Sequence, residues 1–132
     1  MSEIPDDLRY SEDHLWVRAA SAQNTAQIGI TDYAQDSLGD VVNITLPTAG
    51  QAVTSGQAFG EIESTKSIND LVSPLDGQVL TANDVLVDTP ELVNTDPYGQ
   101  GWMVEVEVAS SPLSSQLGAL MNSSAYRSLV GE

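Results

Sequence analysis

A ten-residue pattern occurs twice in the chain, and it restricts how the middle of the sequence can fold. The run Gly50–Phe59 aligns without a gap on the run Gly77–Leu86, at an offset of 27 residues (77 − 50 = 27). Both copies read Gly-Gln, two apolar residues, Thr and a small residue, and the seventh position is Gly56 or Asn83. Glycine and asparagine adopt positive φ most readily, so the repeat predicts two similar strand-turn-strand units with the same tight turn.

Short apolar runs bounded by turn residues extend from Leu15 to about Val108, a spacing that is typical of an all-β barrel or sandwich. We predict strands over seven stretches: Leu15–Ala19, Thr25–Ile30, Asp40–Leu46, Gln57–Ser64, Ser67–Ser73, Gly77–Val79 and Trp102–Val108. A length of 132 residues fits a single domain over 1–132, with its core over about 10–108.

Short helices are predicted in three places. Thr31 can cap a helix that ends at Gly39, and Thr89 with Pro90 can begin a single turn. Apolar residues at helical spacing predict a helical tail over about 111–130, which breaks near Asn122 so that Ser123 caps its second helix.

The single lysine of the chain, Lys66, lies between the two copies of the repeat. A hairpin is the simplest connection there, with Ser64–Ser67 as its tip, and an amine at such a tip is accessible to an enzyme. The ε-amine is the nucleophile to which proteins attach carrier groups through an amide bond. The position predicts a modification site, although an acidic composition alone could also leave one lysine.

The charge of the chain excludes several classes of function. Nineteen acidic residues against four basic ones give a formal net charge of −15, which disfavours nucleic acid and anionic membranes. Basic patches on partner proteins are the expected counterparts. There is no cysteine, and His14, the only histidine, has no evident companion ligand for a metal. No targeting segment is recognised, so we expect a bacterial cytoplasmic protein, and a processed mitochondrial form would look the same.

The residues around Lys66 resemble those of lipoyl and biotinyl carrier domains. Biotinyl carriers usually flank the lysine with methionine, and lipoyl domains of 2-oxo-acid dehydrogenases usually read Asp-Lys-Ala, whereas this chain reads Glu63-Ser64-Thr65-Lys66. That run is similar to the motif of the glycine cleavage system H protein family. Ordered matches to this family run through much of the chain: Gly29–Gln35, Leu38–Val42, Leu46-Pro47, Gly50, Ser73-Pro74, Gly77, Asn83, Pro90–Asn94, Asp96–Tyr98 and Gly101-Trp102.

The resemblance implies a mainly β barrel-sandwich hybrid of two quasi-symmetric units, with short helices and a helical C-terminal tail. It further implies a monomeric carrier, not an enzyme, with lipoate in amide linkage on Lys66. The implied partners are the decarboxylating glycine dehydrogenase, the aminomethyltransferase, dihydrolipoyl dehydrogenase and the lipoyl-attaching enzymes. The carrier would move the aminomethyl group of glycine from the glycine dehydrogenase to the aminomethyltransferase. Dihydrolipoyl dehydrogenase would then reoxidise the lipoyl group of the carrier.

The resemblance also suggests which residues contact the arm. Asp70, four residues beyond the lysine, matches an acid associated with holding the loaded arm, and Glu63 lies close by in sequence. Near the N-terminus, Asp13 and His14 fall in a Ser-His-Glu-Trp-like stretch, in which Leu15 replaces the familiar glutamate. We expect Asp13 to supply the missing carboxylate, and we expect His14 to be packed or hydrogen-bonded.

Three other functions stay open. Because Leu15 replaces a residue associated with holding the loaded arm, the protein could be a lipoyl relay that supplies other lipoate-dependent complexes. The β scaffold could also serve as an unmodified acidic docking module. A hydrolase with Glu61 and Glu63 as paired carboxylates is the weakest alternative, because no nucleophile or pocket accompanies them.

Overall fold

The computed structural model describes residues 3–19, 24–108 and 113–131, and they form two antiparallel sheets with short helices. A six-stranded sheet has the order β1-β2-β3-β9-β8-β5, and a three-stranded sheet has the order β4-β6-β7. The strands are β1 Arg9–Tyr10, β2 Leu15–Ala19, β3 Thr25–Ile30, β4 Val41–Thr45, β5 Ala52–Val53, β6 Ala58–Ser64, β7 Ile68–Val72, β8 Gly77–Ala82 and β9 Val104–Glu107. The helices are α1 Asp32–Leu38, α2 Val85–Asp88, α3 Leu92–Thr95, α4 Leu113–Gly118 and α5 Ser123–Val130.

The mainly β prediction is confirmed, and all seven predicted strands are present with ends shifted by a few residues. Strand β1 and helix α2 were not predicted, and β5 was predicted only as the first strand of the repeat unit, without bounds. Each is only two to four residues long, so no period of apolar residues can reveal it. Among the described helices, none has the length and apolar character to cross a membrane.

The two copies of the repeat pair with each other. Ala52 lies opposite Gln78, Val53 lies opposite Gly77, and the N–H of Val79 donates to the carbonyl of Gln51 at 2.9 Å. The third position of each copy therefore meets the second position of the other. Such self-complementary pairing is what a local two-fold axis between the copies requires.

The prediction of a shared tight turn is wrong for the second copy. Gly56 has φ +86°, but among described non-glycine residues positive φ occurs only at His14 and Asn24. Asn83 is instead buried, and its side-chain amide donates to the carbonyls of Gln100 and Trp102 at 2.9 and 2.7 Å. The chain then enters α2, so the second copy is a strand followed by a helical turn.

One apolar core draws on both sheets, and it includes Ile28 and Val106 from the larger sheet and Ile62 and Leu71 from the smaller one. A second, aromatic cluster contains Tyr10, Trp16, Tyr98 and Tyr126, and it joins the N-terminal segment to α5. The sheets therefore form a sandwich, and the C-terminal helix packs against its flank.

Two of the predicted helix starts are wrong. The Thr31 hydroxyl caps α1 as predicted, accepting from the Ala34 N–H at 3.1 Å, and Gly39 ends that helix. Thr89 makes no such cap, because α3 begins after Glu91 without a side-chain cap, but the predicted turn is present, since the Thr89 carbonyl accepts from the Leu92 N–H at 3.2 Å. Asn122 caps α5 in place of Ser123, whose hydroxyl donates to Asp6 at 2.7 Å. The predicted tail start at 111 and 112 lies outside the described residues.

Candidate functional site

Lys66 is exposed at the tip of the hairpin that joins β6 to β7, as the sequence predicts. The buried Ser64 hydroxyl accepts hydrogen bonds from the backbone N–H groups of Lys66 and Ser67, both at 3.2 Å. The Ser64 N–H also donates to the Ser67 carbonyl at 2.8 Å. One serine side chain therefore closes the turn around the lysine and satisfies two backbone donors.

The tip also rests on the α1–β4 corner, which we define as residues 39–41. The Thr65 N–H donates to the carbonyl of Asp40 at 3.1 Å. The stem of Lys66 passes over Gly39, since a Cβ placed on that glycine would lie 3.4 Å from the lysine Cε. Gly39 has φ +79° and ψ −156°, a region that is essentially restricted to glycine. The backbone that carries the lysine is thus held on two sides, by the Ser64 hydroxyl and by the α1–β4 corner.

The acidic residues near the lysine lie on one outward surface of the smaller sheet. Glu61 pairs with Asp70 across β6 and β7, and Glu63 lies between Asn43 and Ile68. Alternate residues of a strand share a face, and directly opposed residues point the same way. The outward surface of this sheet therefore carries three carboxylates, with the exposed side chain of Ile68 among them.

An open cleft of about 430 Å³ lies beside α1, and its lining does not include Lys66 or the other tip residues 64–67. It brings together three of the predicted arm-contacting residues, Asp13, His14 and Asp70, and Leu38 on its wall precedes the Gly39 that supports the lysine stem. Glu63 does not line this cleft. The remaining lining combines apolar and polar side chains: Glu12, Leu15, Ile30, Tyr33, Ala34, Ser37, Ile62, Asn69 and Leu71.

His14 is held from several directions, as the sequence predicts for a packed histidine. Its Nδ1 lies 2.8 Å from the Tyr126 hydroxyl, and its ring centroid is 5.0 Å from that of Tyr33. The Tyr126 hydroxyl also lies 2.7 Å from the Thr31 hydroxyl. Burial lowers the pKa of His14 below its ordinary value, and the charge of Asp13 opposes that shift. His14 is therefore a neutral ring in the cleft wall at neutral pH.

The sequence did not identify Tyr33, Asn94 or Tyr126 as residues of the site. Tyr33 and Asn94 fall within stretches that resemble the H protein family. That resemblance pointed to the segments, but it did not indicate which side chains contact the site. Tyr126 is 112 residues from its partner His14, so no local pattern could connect them. Of the two tryptophans, Trp16 is fully buried and donates to the Pro97 carbonyl at 2.9 Å, and neither lines the cleft.

The arrangement suits a prosthetic arm better than a metal or a hydrolytic centre. Within residues 3–19, 24–108 and 113–131, no group of three His, Asp or Glu side chains could hold a metal ion. The exposed amine offers an attachment point, and the cleft beside α1 offers apolar walls with Asp13 and Asp70 at its sides. These features fit an arm with an apolar ring that can carry a cationic group.

Two antiparallel sheets that present one lysine on a fixed hairpin define a carrier of the lipoyl and biotinyl class. The family model of the glycine cleavage H-protein matches residues 8–132, and the chain belongs to that family. Its role is that of the lipoyl carrier in glycine cleavage.

Individual relatives agree over the full length. The chain is 50% identical over 135 aligned positions to the glycine cleavage system H protein of Mycobacterium bovis, and 50% identical over 132 positions to that of Mycolicibacterium smegmatis. Each comparison covers 100% of both chains. The crystal structure of a glycine cleavage system H protein from Mycobacterium marinum is similar with a TM-score of 0.86 and 38% identity, covering 98% of this chain and 100% of that one.

Proposed function

We propose that Lys66 carries lipoate in amide linkage and that the chain acts as a carrier without catalytic activity of its own. The observation that supports this most strongly is the single exposed amine at a hairpin tip fixed by Ser64 and Asp40. When bound, the lipoyl group would supply redox-active dithiolane chemistry, which the chain itself lacks because it contains no cysteine.

The partners in this proposal are the decarboxylating glycine dehydrogenase, the aminomethyltransferase, dihydrolipoyl dehydrogenase and the lipoyl-attaching enzymes. A rigid tip with a long arm raises the effective concentration of the arm's end at each docked active site. The net charge of −15 and the outward carboxylates Glu61 and Glu63 favour partners whose docking surfaces are basic, whereas Asp70, on the edge strand β7, lies where the outward surface meets the cleft. We assign Glu63 to this docking surface, because it does not line the cleft.

The cleft is the proposed resting place of the loaded arm. A cationic aminomethyl group is stabilised by carboxylates, and Asp13 and Asp70 both line the cleft. Leu15 is 2% exposed and contributes an apolar wall where the family has a glutamate. In our proposal Asp13, two residues before Leu15, supplies the carboxylate that is missing at position 15. The neutral ring of His14 then packs beside the arm without adding a competing positive charge.

A reconstituted reaction tests the function. Lipoylated wild-type protein with the three partner enzymes and tetrahydrofolate as the one-carbon acceptor should support glycine-dependent reduction of NAD⁺, and Lys66→Arg should abolish it because arginine cannot be acylated. A lipoyl relay, which Leu15 leaves as the second candidate, would be modified on Lys66 yet would not support glycine turnover. An acidic docking module would keep its function in Lys66→Arg, so either result would overturn the proposal.

Three further features belong to the same proposal. Residues 1–132 act as one lipoyl-carrier domain, since the described residues from both sheets share one core. The protein functions as a monomer, and it works in the cytoplasm of a bacterium, as its similarity to bacterial relatives suggests.

A further inference from the structure

Asn94, in α3, lies outside both the hairpin and the cleft, yet its side chain holds the α1–β4 corner at several points. Its amide nitrogen donates to the Gly39 carbonyl at 2.8 Å and to the Gln35 side-chain oxygen at 3.0 Å. Its amide oxygen accepts from the Val41 N–H at 2.9 Å. The side chain therefore uses both amide donors and its acceptor to join α3 to the end of α1 and the start of β4.

The corner that Asn94 holds is the part of the body that contacts the lysine tip. The Asp40 carbonyl, between the two backbone groups bound by Asn94, accepts from the Thr65 N–H at 3.1 Å. Gly39, whose carbonyl Asn94 binds, lies under the Lys66 stem. A displacement of the corner would therefore be transmitted to both residues 65 and 66.

We propose that Asn94 is a positioning residue for Lys66, which acts through the Gly39–Val41 backbone to hold the hairpin tip for the lipoyl-attaching enzyme. This inference rests on the proposed function, because the lysine must be the attachment site for its position to matter. Without Asn94 the attaching enzyme would itself have to order the tip on binding, and ordering backbone opposes association.

The chemistry of the site requires an amide. Aspartate has nearly the same shape and can still accept from the Val41 N–H, but it has no donor for the Gly39 carbonyl. The Gln35 side chain cannot readily rotate to compensate, since its own amide nitrogen donates to Asp32 at 2.7 Å. Asn94→Asp should thus release Gly39 and Gln35 while keeping the bond from the Val41 N–H.

A protease that cleaves after lysine measures the tip directly, because the chain contains one lysine. Cleavage of the unmodified protein between Lys66 and Ser67 then reports how often the tip opens. The samples are full-length wild type, Asn94→Ala and Asn94→Asp. Asn83→Ala is the matched control, since Asn83 also donates two amide hydrogen bonds to loop carbonyls but holds the segment around Trp102.

We expect Asn94→Ala and Asn94→Asp to be cleaved about tenfold faster than Asn83→Ala, as the net loss of about one good hydrogen bond implies. The KM for the carrier in lipoyl attachment should rise severalfold at unchanged kcat. Cleavage rates and KM values equal to those of Asn83→Ala would overturn the inference. If wild type itself accepted no lipoate, the proposed function would fail, and the protease comparison would still decide whether Asn94 holds the tip.

Discussion

Replacing Ser64 by alanine should loosen the lysine hairpin by an amount that its contacts allow us to work out. The hydroxyl accepts from the N–H groups of Lys66 and Ser67 at 3.2 Å and donates to the Ser67 carbonyl at 3.4 Å. These bonds are longer than the usual 2.9 Å, so each lies near the lower limit of about 0.5 kcal/mol. Their combined loss should lower the free energy of unfolding by about 1–2 kcal/mol, or the Tm by about 5 °C.

Urea unfolding followed by tryptophan fluorescence measures that loss, and amide hydrogen exchange at residues 66 and 67 measures the local opening. Ser73→Ala is the matched control. The buried Ser73 hydroxyl donates to the Leu75 carbonyl at 2.6 Å and accepts from the Leu75 N–H at 3.2 Å. Both variants should lose similar stability, but only Ser64→Ala should slow lipoyl attachment. Unchanged exchange at residues 66 and 67 in Ser64→Ala would refute this account of the motif serine.

Three other changes have definite expected outcomes. Gly29→Ala should lose about 1–3 kcal/mol in urea unfolding, because the new Cβ would lie 2.7 Å from the ring of the fully buried Trp16; Gly118→Ala, whose Cβ meets open space, should lose none. Since burial lowers the pKa of His14 below 6.5, the unfolded state binds more protons as the pH falls through 6.5 and stability declines. His14→Asn, which tolerates the φ of +67° at this position, should lose less stability than wild type between pH 7.5 and 5, and equal slopes would contradict the assignment. Hydrolytic loss of the aminomethyl group from loaded protein, measured by mass against time, should be faster in Asp70→Asn and in Asp13→Asn. The control Asp88→Asn, at an exposed site, should lose the group at the wild-type rate. Wild-type rates in both cleft variants would remove these carboxylates from the proposed resting site.

The parts of the fold that the sequence predicted are those encoded by neighbouring residues. Thr31 and Gly39 bound α1 through local bonds, and the alternation on either side of Lys66 is a property of a single hairpin. The placement of the lysine and of the main strands could therefore be predicted before any tertiary contact was known.

The errors arose where a distant partner decides the conformation. Asn83 matched a turn glycine in the repeat, but carbonyls 17 and 19 residues further on hold its side chain in a different conformation. Ser123 was a reasonable cap by residue type, yet its hydroxyl is bound to Asp6, 117 residues away. Propensity gives only a weak preference in such cases, and tertiary hydrogen bonds override it.

The candidate site shows the same division. The motif identified Lys66, Asp70, Asp13 and His14, of which the last three line one cleft. Tyr126 contacts His14, and Asn94 contacts the α1–β4 corner. Both contacts depend on how α5 and α3 pack, and the sequence alone does not specify that packing.

The central claim is that one lysine carries the working arm. After incubation with lipoate and a lipoyl-attaching enzyme, intact-mass analysis followed by peptide mapping should find one lipoyl increment, located on Lys66 and missing in Lys66→Arg. Protein that stays unmodified while a known lipoyl domain in the same tube is fully modified would contradict the account.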